Sequence, residues 1–328
     1  MTKLPASKKV DRSLIFPVIS GLWLSIPWDQ VVSNKDSNFS VEKGLVQRFV
    51  DEAEAYGDPT HRCRALAMQG ALYSRMSEFG HAIDTQRQLE SVYSFSKHST
   101  GISDTYGSDF AALSFGNSVQ WYDLIGDQAL ARKQMEFVLK KLLPKFHPVA
   151  VHDAMGVLFP ILMVMKTKGM ATDAKAMFKR HVLDRFNALG ITSTYFYPLY
   201  KPTLFFLDVA QRDNSQGSGE ESLEEIEDWA MNVEKISSIP SLDRNGKFMQ
   251  GEVCWQLAKR KALEDPRRKE LIDRGSHLLK RAMKKVQKDG SYAFMVQQGY
   301  IVYTELQKMK VAPVQSSVKE RGCSCSIL

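Results

Sequence analysis

The sequence is poor in cysteine, lacks a long apolar run and lacks the glycine-rich loops that hold phosphates; each shortage removes a class of function. Its 328 residues include four cysteines, Cys63, Cys254, Cys323 and Cys325. That is too few, and too scattered, for the disulfide framework of a secreted domain, so a reducing compartment is expected. Residues 13–28 carry no charge and follow Lys3, Lys8, Lys9 and Arg12, as a signal segment would. Pro17 and Pro27 interrupt a stretch already short of the roughly 20 residues of a spanning helix, and no small-residue cleavage site follows Trp28. Residues 1–39 are therefore expected to form an apolar strap on the first helices. No Gly-x-x-x-x-Gly-Lys-Ser/Thr loop and no Gly-x-Gly-x-x-Gly occurs, which leaves ATP and dinucleotide chemistry unsupported. His147 and His152 are five residues apart and do not share a helical face, so no metal set is assembled. No catalytic residue, cofactor or metal is assigned.

What is present is ordinary globular material, 44% apolar and 25% charged, enough to bury a large core. The net charge of +7 is unevenly spread. Six acids and no base lie in residues 220–228, whereas residues 247–288 hold thirteen Lys or Arg against five acids. The basic stretch lacks the interleaved aromatics that stack nucleic-acid bases, and nucleic acid is not expected as a partner.

From Ser40 onward the apolar spacing predicts helices. Ser40 is read as an N-cap, Leu45, Phe49 and Ala53 share a face, and Gly57 with Pro59 ends the first helix. Thr60 is read as the cap of a second helix carrying Ala65, Leu66, Gln69, Gly70, Tyr73 and Met76; a third runs through Ala82, Gln86, Leu89 and Tyr93. The helix–turn–helix unit recurs: Gly70, Tyr73, Phe79 and Ala82 lie over Tyr122, Gly126 and Ala131, then over Met165, Gly169, Ala174 and Phe178. Ala82 and Ala131 are 49 residues apart, Ala131 and Ala174 are 43, and an insertion loop is expected at His98 to Ser108.

Through Gly-x-x-Tyr in a first helix and the small Ala in a second, residues 60–190 resemble tetratricopeptide-like (TPR-like) repeats. The resemblance implies an all-α fold of antiparallel helical hairpins stacked as a solenoid. Leu142-Leu143-Pro144, Val151-His152 and Pro198-Leu199-Tyr200-Lys201-Pro202 resemble the helical tail of multidomain signalling ATPases or cyclases. That likeness implies an enzyme or regulatory subunit related to such a tail, with no nucleotide-binding domain in this sequence. The expected organisation is the strap (1–39), TPR-like repeats (40–212), a flexible polar loop (213–219), acidic then basic helices with a turn at Pro240 to Gly246 (220–310), and a mobile tail (311–328).

The last four residues, Cys325-Ser326-Ile327-Leu328, match the C-a-a-X prenylation signal, and the terminal Leu favours geranylgeranyl. A prenyltransferase would be a partner, and the expected location is the cytoplasmic face of a membrane, or the cytosol for an unmodified chain. A single lipid gives reversible attachment, so a second signal is sought. Cys323, as a palmitoylation candidate, and the basic helices are the options. Cys63 and Cys254 fall in helical patterns as core residues, and Asn38-Phe39-Ser40 is a glycosylation sequon read as a helix start. Tyr195, Tyr197 and Tyr200 form an aromatic cluster that either lines a partner surface or packs internally. The functional expectation is a non-catalytic scaffold binding a protein or peptide in a helical groove, held at a membrane by its lipidated tail.

Overall fold

The computed structural model describes residues 12–25, 39–147, 149–190, 199–214, 222–236, 240–262, 265–289 and 293–311, and every element among them is helical. In chain order these are α1 (Ile15–Ser25), α2 (Ser40–Tyr56), α3 (Pro59–Arg75), α4 (Phe79–Val92), α5 (Phe95–Tyr106), α6 (Phe110–Leu124) and α7 (Gln128–Phe137). They continue as α8 (Val151–Thr167), α9 (Ala171–Phe178), α10 (Asp184–Leu189), α11 (Tyr200–Asn214), α12 (Leu223–Asn232), α13 (Pro240–Arg260), α14 (Pro266–Asp289) and α15 (Ala293–Val311). Single π-helical turns, Val138–Leu142 and Lys179–Leu183, follow α7 and α9.

Three turns share one set of hydrogen bonds. After α3, the Glu78 N–H donates to the Tyr73 carbonyl (2.9 Å) and Ser77 N–H to Ser74 (3.1 Å). After α6, Asp127 donates to Tyr122 (2.9 Å) and Gly126 to Asp123 (3.1 Å); after α8, Met170 donates to Met165 (2.9 Å) and Gly169 to Lys166 (3.1 Å). This Schellman arrangement satisfies orphan carbonyls at the helix end and requires a left-handed residue. Ser77 (φ 61°), Gly126 (φ 84°) and Gly169 (φ 77°) take that role. Five residues beyond each stands Ala82, Ala131 or Ala174, all buried, and each donates to the carbonyl of the residue that precedes its helix. The turns that close α3/α4, α6/α7 and α8/α9 therefore share one hydrogen-bond geometry.

Successive elements pack in order. α3 and α4 meet α6, α6 meets α8, α8 meets α9, α9 meets α11, and α11 meets α13, which packs on α12, α14 and α15. One large core runs through these layers. A smaller core gathers Phe16, Ile19 and Trp23 of α1 against Val46, Phe49 and Ala53 of α2 and Ala65, Met68 and Leu72 of α3. α6 and α8 come so close that a Cβ on Gly116 would lie 2.1 Å from the Val157 carbonyl oxygen, so only glycine permits the crossing.

Several local expectations are corrected. Ser40 is the first helical residue of α2, and the cap position is Phe39 in left-handed geometry (φ 52°). The cap of α3 is Asp58, whose Oδ1 accepts the Thr60 N–H at 2.6 Å, with Pro59 at the first position where no donor is needed. The buried face of α2 is Val46, Phe49 and Ala53, with Leu45 half-buried. The expected loop His98 to Ser108 is largely helix α5, because Ser99 and Ile102 bury against α3 and α6 despite a polar sequence. The expected turn at Pro240 to Gly246 is the first turns of α13, opened by a proline whose missing N–H costs nothing there. The apolar strap contains a regular helix, α1; α11 extends to Asn214, while 215–219 of the expected polar loop lies outside the described residues.

Ser77 is the one position of the three equivalent turns with a Cβ in left-handed geometry. Ser77→Gly is expected to raise stability by ~1 kcal/mol and Gly126→Ala to lower it by ~1 kcal/mol, read as opposite shifts of the urea midpoint. Equal midpoints for both variants would show that the turns do not share this constraint.

Candidate functional site

The residue types capable of chemistry converge where α3, α5, α6 and α8 join. Asp109 precedes α6, where its Oδ1 accepts the Ala112 N–H at 3.0 Å. Its Oδ2 accepts the Tyr93 hydroxyl proton at 2.6 Å. Ser108 donates to Asp153 of α8, and Cys63 Sγ lies 4.0 Å from His98 Nδ1. Cysteine, histidine and carboxylate together invite a nucleophile reading, and the details oppose it. His98 Nδ1 accepts the Ser94 N–H at 2.9 Å, so that nitrogen is occupied and cannot take the thiol proton. Burial, with Asp109 nearby, pushes the Cys63 thiol up to about 12, and burial likewise pushes Cys254 up to about 12. Both stay protonated at neutral pH and serve as small core groups. Burial raises the Asp109 carboxyl above the ordinary carboxylate range, partly offset by its bonds from Ser99, Tyr93 and Ala112. The cluster is a polar joint between helices.

A second polar feature fixes α1. Arg64, 1% exposed, donates to Ser20 Oγ at 2.8 and 3.2 Å, and its guanidinium lies 3.8 Å from the Phe110 ring centroid and 5.6 Å from those of Trp23 and Tyr106. Desolvation lowers its pKa to about 9, leaving it a cation at neutral pH, stabilised by ring faces.

Among the described residues two open clefts stand out. One, of about 630 Å³, crosses α2, α3 and the start of α4 and is lined by groups including Lys43, Gln47, Gln69, Tyr73, Met76 and His81. Its lining combines amides, an aromatic ring, a thioether and an imidazole. The other, of about 760 Å³, is bordered by α12 acids, with Lys261 and Arg267 opposite. Glu227 pairs there with Lys261 at 3.0 Å and with Arg267 at 3.8 Å. Nearby, Arg274 reaches Glu234 at 2.7 Å and donates to the Ala230 and Val233 carbonyls, capping α12 jointly with Gln250. Part of the basic segment's charge is thus answered within the chain by the acidic one.

Cys323, Cys325, Tyr195 and Tyr197 lie outside the described residues. Tyr200, at the start of α11, is half-buried, with ring centroids 6.0 Å from Phe178 and 6.1 Å from Phe186. It sits among packed rings and borders neither cleft. Sequence reading missed the cleft on α2, α3 and α4, although Gln69, Tyr73 and Met76 were in view as one face of a helix. Among the described residues no group of three or more His, Cys, Asp or Glu is arranged to hold a metal. Comparison with known protein families, curated proteins and solved structures finds no match for the chain.

The raised carboxyl of Asp109 sets a pH dependence. Because its folded pKa lies above its unfolded value, its contribution to stability is complete below the unfolded pKa near 4 and is lost as pH rises through the folded value. Asp109→Asn keeps the cap acceptor for Ala112 and is expected to remove this part of the slope, so that the urea midpoint falls less between about pH 4 and pH 7 than in the wild type. A variant with the wild-type slope would show that Asp109 does not carry it.

Proposed function

We propose that the hairpins α3/α4, α6/α7 and α8/α9 form a TPR-like solenoid and that the chain is a non-catalytic interaction scaffold, tethered to a membrane through prenylated Cys325. The observation that carries the binding half is the cleft across α2, α3 and α4. It is open, mixed in polarity and bordered by the first of the three equivalent hairpin turns. Surfaces of this kind arise wherever helix pairs stack in register, because each added hairpin leaves one row of side chains without a neighbour. The ligand is a short peptide segment whose backbone is met by the Gln47 and Gln69 amides and whose apolar side chains are met by Tyr73 and Met76.

The tethering half rests on Cys325-Ser326-Ile327-Leu328 as a substrate for a geranylgeranyl transferase, with Cys323 as a site for a second acyl chain. Among the described residues no helix is long and apolar enough to cross a membrane, which is compatible with attachment by a lipid. The chain then works on the cytoplasmic face of the membrane that receives it.

Each half has its own test. Peptides selected by display against the whole protein should lose about ten-fold in affinity against Gln47→Ala combined with Gln69→Ala, with no shift in urea midpoint; selected peptides indifferent to both changes reject the cleft. Mass spectrometry of the C-terminal peptide from eukaryotic cells should show a prenyl group in the wild type that Cys325→Ser abolishes. A wild-type peptide ending in unmodified Cys325-Ser326-Ile327-Leu328 rejects the tether.

A further inference from the structure

Helix α1 is apolar on both sides. Phe16, Ile19 and Trp23 are buried against α2 and α3, while Leu14 just before it and Val18, Leu22 and Leu24 on it are 60%, 58%, 52% and 43% exposed. Leu14, Val18 and Leu22 follow at intervals of four, so they run as one stripe along the outward face, which also holds Gly21 and no charged residue. Rotation cannot hide this stripe. The inward face is held by its aromatic packing, by the Arg64 bonds to Ser20 Oγ and by Arg75, 4.2 Å from the Trp23 ring centroid.

We propose that the outward face of α1 is a membrane-interface surface that inserts into the headgroup region of bilayers carrying anionic lipid. Charge selects this occupant: Lys3, Lys8, Lys9 and Arg12 stand in the twelve residues up to and including Arg12, against Asp11 alone. An apolar helix face preceded in sequence by a cluster of bases has the composition of an in-plane anchor, whose apolar side chains enter the acyl boundary. Size decides between insertion and spanning. Eleven residues make a helix about 16 Å long, half of a hydrocarbon core of about 30 Å, so the helix lies in the plane. Size also argues against a second copy as the occupant, because a face about 16 Å by 10 Å is far below the roughly 800 Å² per partner of a stable interface.

This surface needs no lipid on the chain and goes beyond the C-terminal tether, which it would complement as the second signal. The test uses the full chain made without prenyltransferase and carrying Cys323→Ser and Cys325→Ser. It is co-sedimented with vesicles of phosphatidylcholine alone or with about one-third phosphatidylserine. Binding is expected to the mixed vesicles, to weaken about ten-fold with Leu14→Gln, Val18→Gln and Leu22→Gln together, and to fall in about 0.5 M NaCl. Circular dichroism and the urea midpoint establish that the triple variant is folded. As an independent readout, an environment-sensitive dye on Val18→Cys in the same background should shift to the blue with mixed vesicles, the buried Cys63 and Cys254 thiols staying unlabelled. Absence of binding by the unlipidated chain, binding unchanged in the triple variant, or a dimer by light scattering whose dye shifts without vesicles overturns the proposal. A chain that binds only when prenylated overturns it too and leaves the tether standing.

Discussion

Helix α6 is an enclosed junction of the array, with most of its residues buried and the stripe Phe110, Leu113, Asn117, Gln120 and Leu124 half-buried. None of its fifteen residues is exposed. Polar side chains on the buried faces of such a helix need partners, and this one supplies them repeatedly. Ser114 donates to Gln86 of α4 at 2.8 Å, Ser118 to the Phe115 carbonyl at 2.8 Å and Gln120 to the Pro160 carbonyl of α8 at 3.3 Å. On one side Trp121 packs with Ala82 and Ile83, and on the other Gly116 admits the α8 backbone. The first hairpin and the rest of the chain are joined through this element.

Charge divides into two populations with different consequences. Lys175 and Arg212 both hold the fully buried Asp208, tying α9 to α11, and Lys166 holds buried Glu252, tying α8 to α13. Desolvation consumes much of what such pairs gain, but removing one member strands the other, so they fix which helices meet more than they add stability. Arg64 does the same for α1 with aromatic rings in place of a carboxylate. The second population is exposed. Pairs such as Lys308 with Glu305 and Lys201 with Glu225 contribute little each and are weakened by salt.

The buried joint around Asp109 and the open cleft on α2, α3 and α4 place the polar groups of one helical array in opposite settings. At the joint, burial holds the Cys63 thiol protonated and gives the carboxylate a cap to make, which suppresses reactivity and fixes geometry. At the cleft, amides and an aromatic ring remain open to solvent. α1 adds a third kind of surface, apolar and outward, anchored by the small core that it shares with α2 and α3.

The sequence by itself determined the helical class, because apolar and small residues such as Leu66, Tyr73, Ala82 and Leu89 stand at helical spacing and the turns after α3, α6 and α8 are closed by bonds within a few residues. It also marked Cys63 and Cys254 as core, since both sit in apolar helical patterns. The Asp58 cap of α3 and the opening of α13 by Pro240 follow local rules, an aspartate at the cap and a proline at the first helical position, whereas only tertiary structure decided that the polar stretch from Phe95 to Tyr106 is a helix. The cleft on α2, α3 and α4 and the outward stripe of α1 were hidden for the same reason. Local bonds are written in neighbouring residues, whereas which faces become buried, and which are left to solvent, depends on partners tens of residues away that spacing cannot name.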